Sequence, residues 1–364
     1  MNKETIQNVV AAQRSYFDSG KTCELEGRVH MLETFRTVLH KYEGKMIDAA
    51  RKDMGRSDVE TYFMEIAMNL EELDFTLKHL KKWVRPEAVK TPTLFFMADS
   101  EIHPEPYGVT LIVSAWNYPF LQLFSPLIGT VSAGNTAILE PASDSPHSAA
   151  LARKIVEEAF LPEHAVVLEG TSDITTLLLE EKLDYVFFTG SPRVGRIIQA
   201  AAAKHLTPVT LELGGKSPAI VDETADVDQA AKRIMWCKLF NAGQICVTVD
   251  HCYVHETVKE PFIESCKKWI AEFYGADPAR RGQRKLTGDA GRAVRAGAAD
   301  SHLLVARRAA PAAAEKRQTA GAVFLQPARR AARQAGAVDL EWRRHTQRLH
   351  EASDPLLPLH LAER

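Results

Sequence analysis

The chain has 364 residues, 45% of them apolar, and a formal net charge of −2. That length suggests two or three domains, and the apolar content supplies a sizeable core, which excludes disordered and fibrous classes. The small net charge hides a split, since residues 1–278 hold 28 basic against 39 acidic side chains and residues 279–364 hold 17 against 8. With no nucleic-acid motif beside it, the basic tail reads as solvated arginines, and no nucleic-acid partner is expected.

Five cysteines (Cys23, Cys237, Cys246, Cys252 and Cys266) are an odd number without CxxC spacing. That argues against a disulfide framework and a zinc ribbon, leaves no metal site expected, and points to a reducing compartment. Four of them, Cys23, Cys237, Cys252 and Cys266, read as small buried hydrophobes. The opening Met1-Asn2-Lys3-Glu4 starts a polar amphipathic segment, and no apolar run is long enough to span a bilayer. A cytoplasmic location without a membrane partner is therefore expected.

From Thr5 to Arg85 apolar residues recur at helical spacing, as in Val29, Leu32, Phe35 and Leu39, with breaks at Gly20, Gly44 and Gly55. Within this helical layer Ser19-Gly20-Lys21-Thr22 imitates the end of a phosphate-binding loop. Ser15 stands where the first glycine should be and no apolar strand precedes it, so that reading is set aside. After Pro86 the texture changes to short apolar runs bounded by turn residues: 93–97, 109–115, 136–139, 165–168, 185–188 and 218–221. Helical patterns lie between several of them, at 145–160 and 194–204. Strands alternating with helices predict an α/β fold with a doubly wound parallel sheet. A further helix is predicted over 226–240 and a strand from Cys252 to His255.

Four motifs lie along this pattern: Trp116-Asn117-Tyr118-Pro119-Phe120, Phe188-Thr189-Gly190-Ser191, Leu211-Glu212-Leu213-Gly214-Gly215-Lys216, and Asn241-Ala242-Gly243-Gln244-Ile245-Cys246. In this order they resemble the aldehyde dehydrogenase superfamily, most closely its class 3-like members, and the resemblance runs to about Asp277. It implies a doubly wound, Rossmann-like NAD-binding domain with a helical layer over 1–211. An incomplete α/β catalytic domain over 212–278 and a tail over 279–364 would follow. It also implies oxidation of an aldehyde to a carboxylic acid with NAD. A thiol serves that chemistry because hydride leaves readily from a tetrahedral carbon bearing an electron-rich oxygen. Cys246 is then the nucleophile, forming a thiohemiacetal and then a thioester, Asn117 the oxyanion donor together with the backbone N–H of Cys246, and Glu212 the base that activates water.

The usual Gly-x-Gly-x-x-Gly fingerprint is absent after any predicted strand. Gly190, Ser191 and Gly195 instead end a strand and open a helix whose free N–H groups suit a pyrophosphate. Trp116, Leu213 and Gly214 join them as cofactor-binding residues by the resemblance. Where the family shows Lys-Pro-Ser-Glu, this chain reads Glu140-Pro141-Ala142-Ser143. A carboxylate at Glu140 can accept ribose hydroxyls and repel a 2′-phosphate, so NAD is expected over NADP.

Beyond Asp277 the composition breaks, and residues 279–364 contain 15 arginines, 2 lysines and 21 alanines. This predicts a change of reading frame near residues 277 to 284, with a genuine arginine-rich interaction tail as the alternative. The family's Glu-x-Phe-Gly-Pro element does not occur after Cys246. The competing reading is therefore a catalytically inactive truncated homologue, at most a nucleotide-binding or subunit-interaction module. Acylating chemistry with coenzyme A is disfavoured by the presence of Glu212. A homodimer is expected only if the missing strands are dispensable.

Overall fold

The computed structural model describes residues 2–274 together with the pair Val323–Phe324. The expected change of frame and the 279–364 segment lie outside the described residues, apart from that pair. Contacts divide the described chain after Leu213 into two units.

The first unit opens with two helices, α1 (Lys3–Asp18) and α2 (Leu25–Met54). The Asn2 side chain caps α1 by accepting from the Thr5 N–H at 2.9 Å, satisfying a donor that has no partner inside the helix. Between the two helices lies the Ser19–Thr22 tetrapeptide, with Gly20 at φ +76°. It is a turn after a helix, not a loop after a strand. Helix α2 ends at Gly55 in the left-handed region, with a short α3 (Asp58–Thr61), a π-helical turn Tyr62–Ala67 and α4 (Met68–Trp83) after it. Two antiparallel strands, β1 (Glu87–Val89) and β2 (Ser100–Ile102), follow.

The sheet of this unit is built from β3 (Val109–Val113), β4 (Thr136–Glu140), β5 (Ala165–Val167), β6 (Tyr185–Gly190) and β7 (Val209–Leu213). All its pairs are parallel, in the order β5-β4-β3-β6-β7. Helices α5 (Leu121–Ala133), α6 (Pro146–Ala159), α7 (Ser172–Leu178) and α8 (Pro192–Ala202) connect them. Alternation along the strands explains why both faces are covered. Ile112 and Leu139 enter one core with Phe35 of α2, Leu73 of α4, Phe124 of α5 and Ile155 of α6. Their strand neighbours Leu111, Val113 and Ile138 enter the other, with Ile6 of α1, Leu178 of α7 and Ile198 of α8. The expected doubly wound parallel sheet is present. Because the chain winds outward from β3 to β5 and then returns to β6 on the other side, the strand order reverses between β3 and β6. Crevices outside the carboxyl ends of strands at such a reversal are where ligands bind in open parallel sheets.

The second unit pairs β8 (Ser217–Val221) in parallel with β9 (Val249–Val254), and Val323–Phe324 lies parallel on the other side of β8. Ala219, Val221, Cys252 and Val254 pack against Ile234 of α9 (Val227–Leu239) and Phe262 of α10 (Lys259–Tyr274). No helix among the described residues is long and apolar enough to cross a membrane.

Three expectations require correction. Residues 93–97 do not form a strand: Thr93–Phe95 is a 3₁₀ turn in the connection between β1 and β2, with Leu94, Phe96 and Met97 exposed. A short apolar run has no periodicity to separate strand from turn, and the pairing here is made by the flanking residues. Cys252 and Cys266 are buried as expected, and desolvation pushes their thiols up to about 11 and about 12. Cys23 and Cys237, by contrast, are exposed. Cys23 lies in the α1–α2 turn, and Cys237 follows Trp236 on the outward side of α9, which buries Ile234 and Met235 instead.

Candidate functional site

In the first unit, Trp116 and Asn117 follow β3, and Glu140 ends β4 directly opposite Val113 in the register. Gly190 ends β6 on the other side of β3 and is the register partner of Leu213, while Thr189 is paired with Glu212. The fold thus brings Trp116, Asn117, Glu140, Gly190, Ser191, Glu212 and Leu213 to one edge of one sheet, the carboxyl edge, around the reversal of strand order.

The glycines here have packing reasons that can be named. A Cβ on Gly195 would stand 2.9 Å from the Leu213 side chain and 3.7 Å from that of Leu211, so its absence lets α8 lie against β7. Leu211 and Leu213 therefore face α8, and strand alternation sends the exposed Glu212 to the opposite face of the sheet. On Gly190 a Cβ would run into the Phe188 ring. Ser191 caps α8, its hydroxyl accepting from the Val194 N–H at 3.3 Å, and Pro192 starts the helix where no amide hydrogen is needed. The positive end of α8 opens at the carboxyl edge, as an anion site requires.

Glu140 is buried, and Thr175 of α7 donates its hydroxyl to Oε1 at 2.6 Å. The other oxygen, Oε2, is buried with no hydrogen-bond partner among the described residues. Desolvation pushes this carboxyl up to about 7 against the pull of the Thr175 bonds. A buried acid with one orphaned oxygen is costly unless something else supplies a partner, and a ligand hydroxyl can do so. Beside it a shallow cleft is lined by Pro141, Ser143, Pro146, Ala149, Glu169 and Gly170.

The loop that carries Asn117 is held by residues that no motif singled out. Arg56 and Glu65 form an ion pair with side chains 1% and 0% exposed. Arg56 also donates to the Asn117 carbonyl oxygen and lies 4.6 Å from the Tyr118 ring centroid. Glu65, on the π-helical turn, accepts through Oε2 from the N–H groups of Phe120 and Leu121, at 2.8 and 3.0 Å. It caps α5 from outside, where Phe120 has no side-chain acceptor of its own. Burial pushes the Glu65 carboxyl upward, while Arg56 and the two amides pull it down. π-Helical turns frequently occur at functional sites, and this one aims a carboxylate at the loop.

The second unit begins at Gly214, and Cys246 within it is exposed. After α9 the backbone passes through three consecutive left-handed residues, Asn241, Ala242 and Gly243, at φ +49°, +55° and +77°. Left-handed backbone costs roughly 1–2 kcal/mol per non-glycine residue, a strain of the kind that collects at functional sites. Reciprocal bonds between Asn241 and Gln244 stabilise the turn, Asn241 Nδ2 donating to the Gln244 carbonyl at 3.3 Å and Gln244 Nε2 to the Asn241 carbonyl at 2.9 Å. The Thr248 hydroxyl ties the far side to the Cys237 carbonyl at 2.9 Å. A Cβ on Gly215 would stand 3.3 Å from the Cys246 carbonyl oxygen, so this glycine of the Leu-Gly-Gly-Lys segment lies against the cysteine loop. The helix predicted over 226–240 is α9, ending at Leu239, and a strained turn follows it before the thiol.

A family model described as aldehyde dehydrogenase family matches residues 1–285. The 4,4'-diaponeurosporen-aldehyde dehydrogenase of Staphylococcus aureus is 41% identical over 262 residues, covering 72% of this chain and 57% of the relative. The dimeric NADP-preferring aldehyde dehydrogenase of Rattus norvegicus is 41% identical over 273 residues, covering 75% and 60%. A solved structure of the substrate-bound state of Staphylococcus aureus AldH superposes with a TM-score of 0.75 at 38% identity, over 78% of this chain and 62% of that one. The chain therefore spans under two thirds of the length of these relatives. Motif order, sheet topology, sequence identity and superposition agree: the chain belongs to the aldehyde dehydrogenase family.

Proposed function

We propose that the protein oxidises an aldehyde to the carboxylic acid, with NAD as the hydride acceptor. The observation that carries this reading is the gathering of Asn117, Glu140, Gly190 and Glu212 at the carboxyl edge where the strand order reverses. In the proposed cycle, Cys246 as thiolate bonds to the aldehyde carbon, and the carbonyl electrons move onto oxygen. The Asn117 carboxamide N–H and, by the family resemblance, the Cys246 backbone N–H stabilise that oxyanion. The dinucleotide, when bound, supplies the acceptor for the hydride that leaves the thiohemiacetal. Glu212 then takes a proton from water, whose oxygen attacks the thioester carbon; the C–S bond breaks, the acid departs and the thiol is restored.

A nicotinamide dinucleotide fits the residues of this edge. The orphaned Glu140 Oε2 suits a ribose hydroxyl, and the start of α8 at Ser191 suits a pyrophosphate. The rat relative is NADP-preferring by name, whereas a carboxyl group in the place of the family's lysine disfavours a 2′-phosphate. Because the Glu140 carboxyl is pushed up to about 7, it is mostly neutral below that pH and mostly charged above it. The ratio of kcat/KM for NAD to that for NADP is therefore expected to rise between pH 6 and pH 8. The 2′-phosphate ionises nearby, so Glu140→Gln supplies the comparison, and its ratio is expected to be smaller and its pH dependence flatter. Equal constants for the two cofactors at pH 8 would refute the preference.

NADH formation with aliphatic and aromatic aldehydes, run beside Cys246→Ala, tests the main reading; activity is expected with the parent and none with the variant. No signal above the variant would favour a second reading, a nucleotide-binding or subunit-interaction module without turnover. One observation favours that second reading: the sequence has no Glu-x-Phe-Gly-Pro element after Cys246. A homodimer belongs with the first reading only if the missing strands are dispensable.

A further inference from the structure

We infer that Gln122 is a positioning residue that fixes which end of the Asn117 carboxamide can act as a donor; this rests on the oxyanion role proposed for Asn117. One group beside Gln122 has only one hydrogen-bonding option. The backbone N–H of Ala115 can only donate, and it faces the Gln122 side chain at 3.1 Å, so the Gln122 atom there is the acceptor oxygen Oε1. The other end of the Gln122 amide is then the donor Nε2, which reaches Asn117 at 3.1 Å. Only Oδ1 of Asn117 can accept it. One backbone hydrogen thus sets the orientation of two carboxamides in series.

The consequence is chemical. The oxygen and nitrogen ends of an asparagine side chain are nearly the same size, so its hydrogen-bond partners, Gln122 among them, decide which end is presented. Presented outward, Oδ1 would repel the oxygen that becomes negative during addition, while Nδ2 stabilises it. The brace is itself anchored. Gln122 stands in the first turn of α5, its backbone N–H donating to the Tyr118 carbonyl at 3.0 Å, one residue after the Leu121 amide that Glu65 holds. Ala115, Asn117 and Gln122 are half-buried, so water competes only partly for these bonds.

The deciding substitution is Gln122→Glu. A glutamate carboxylate still accepts from Ala115 with one oxygen but offers Asn117 a second acceptor, which forces Nδ2 inward and Oδ1 outward. We expect kcat to fall about a hundredfold, the size of losing one oxyanion donor, with KM for NAD and Tm little changed. Lowering the pH toward that of carboxyl protonation should recover part of the rate relative to the parent, because the acid form can donate to Oδ1 again. Gln122→Leu, which removes the brace without imposing the flip, should lose only several-fold, and Gln122→Glu should add nothing in an Asn117→Ala background. Independently of turnover, the Asn117 side-chain NH₂ resonances in a 15N-resolved spectrum should move downfield in Gln122→Glu, where they donate to a carboxylate, and not in Gln122→Leu. If kcat holds within twofold in Gln122→Glu while Asn117→Ala loses it, or if the Asn117 resonances do not move, the brace is overturned. If Asn117→Ala itself keeps full kcat, the oxyanion role of Asn117 fails and the brace has no catalytic meaning.

Discussion

In a Glu212→Gln variant, about one equivalent of NADH per chain is expected in the first turnover, after which the steady rate falls by about 10²–10⁴. The reason is the order of the steps in the proposed cycle. Addition of Cys246 to the aldehyde and loss of hydride need no water, so a glutamine at position 212 leaves both intact and the acyl group accumulates as a thioester on sulfur. Releasing it needs a proton acceptor near the attacking water, and a carboxamide cannot take that proton. Cys246→Ala, by contrast, should give no first equivalent at all, because no covalent adduct can form. Rapid-mixing absorbance reads the amplitude, and intact-mass measurement after quenching should find the acyl adduct on Glu212→Gln and not on Cys246→Ala. A Glu212→Gln variant with the parent's steady rate would remove Glu212 from the mechanism and leave it as an exposed face residue of β7.

How much of this was legible in the sequence differs by element. The strands β3, β4, β5, β6 and β8 were, because buried parallel strands are short apolar runs closed by turn residues, and each falls within a few residues of the expectation; β7 was not among the expected runs, because Glu212 interrupts its apolar pattern. Helix α5 was not. It is apolar on nearly every side because it is packed between α2, α4 and the sheet, so it has no polar face to reveal a period, and Pro126 inside it imitates a break. The run at 93–97 failed for the opposite reason, an apolar stretch that stays exposed. At the candidate site, Asn117, Glu212 and Cys246 could be picked out because each sits in a motif with glycine, proline or aromatic neighbours. Their supports could not. Arg56 and Glu65 are separated from Asn117 and Phe120 by 61 and 55 residues and carry no local pattern, while Gln122 looks like any polar residue at the start of a helix. Charged residues are almost never fully buried unless paired, but sequence alone does not say which of 92 charged side chains is buried.

That hidden pair sets the largest stability effect. Arg56→Met should destabilise the protein by about 3–5 kcal/mol, the cost of leaving the other member of a buried ion pair without its partner. Set against a total of about 5–15 kcal/mol, this is a large share, and Tm should drop by roughly 10 °C. Glu65 would keep the Phe120 and Leu121 amides but lose the guanidinium, and Asn117 would lose the donor to its carbonyl. Burial already pushes the Glu65 carboxyl upward, and removal of Arg56 pushes it further. A carboxyl with a raised folded pKa contributes stability that is fully present below its unfolded value and is lost as pH rises through the folded one. The deficit of Arg56→Met should therefore be smallest in mild acid and grow toward neutral pH. The double variant Arg56→Met/Glu65→Leu separates charge from capping. It removes the unpaired carboxylate and should recover most of the loss, staying about 1–2 kcal/mol below the parent because the start of α5 then has no external acceptor. Urea unfolding of the three proteins at pH 5 and pH 7.5 measures all of these terms. An Arg56→Met deficit below about 1 kcal/mol at pH 7.5 would mean that the pair behaves as a solvated surface bridge, and that the loop carrying Asn117 owes its position to packing alone.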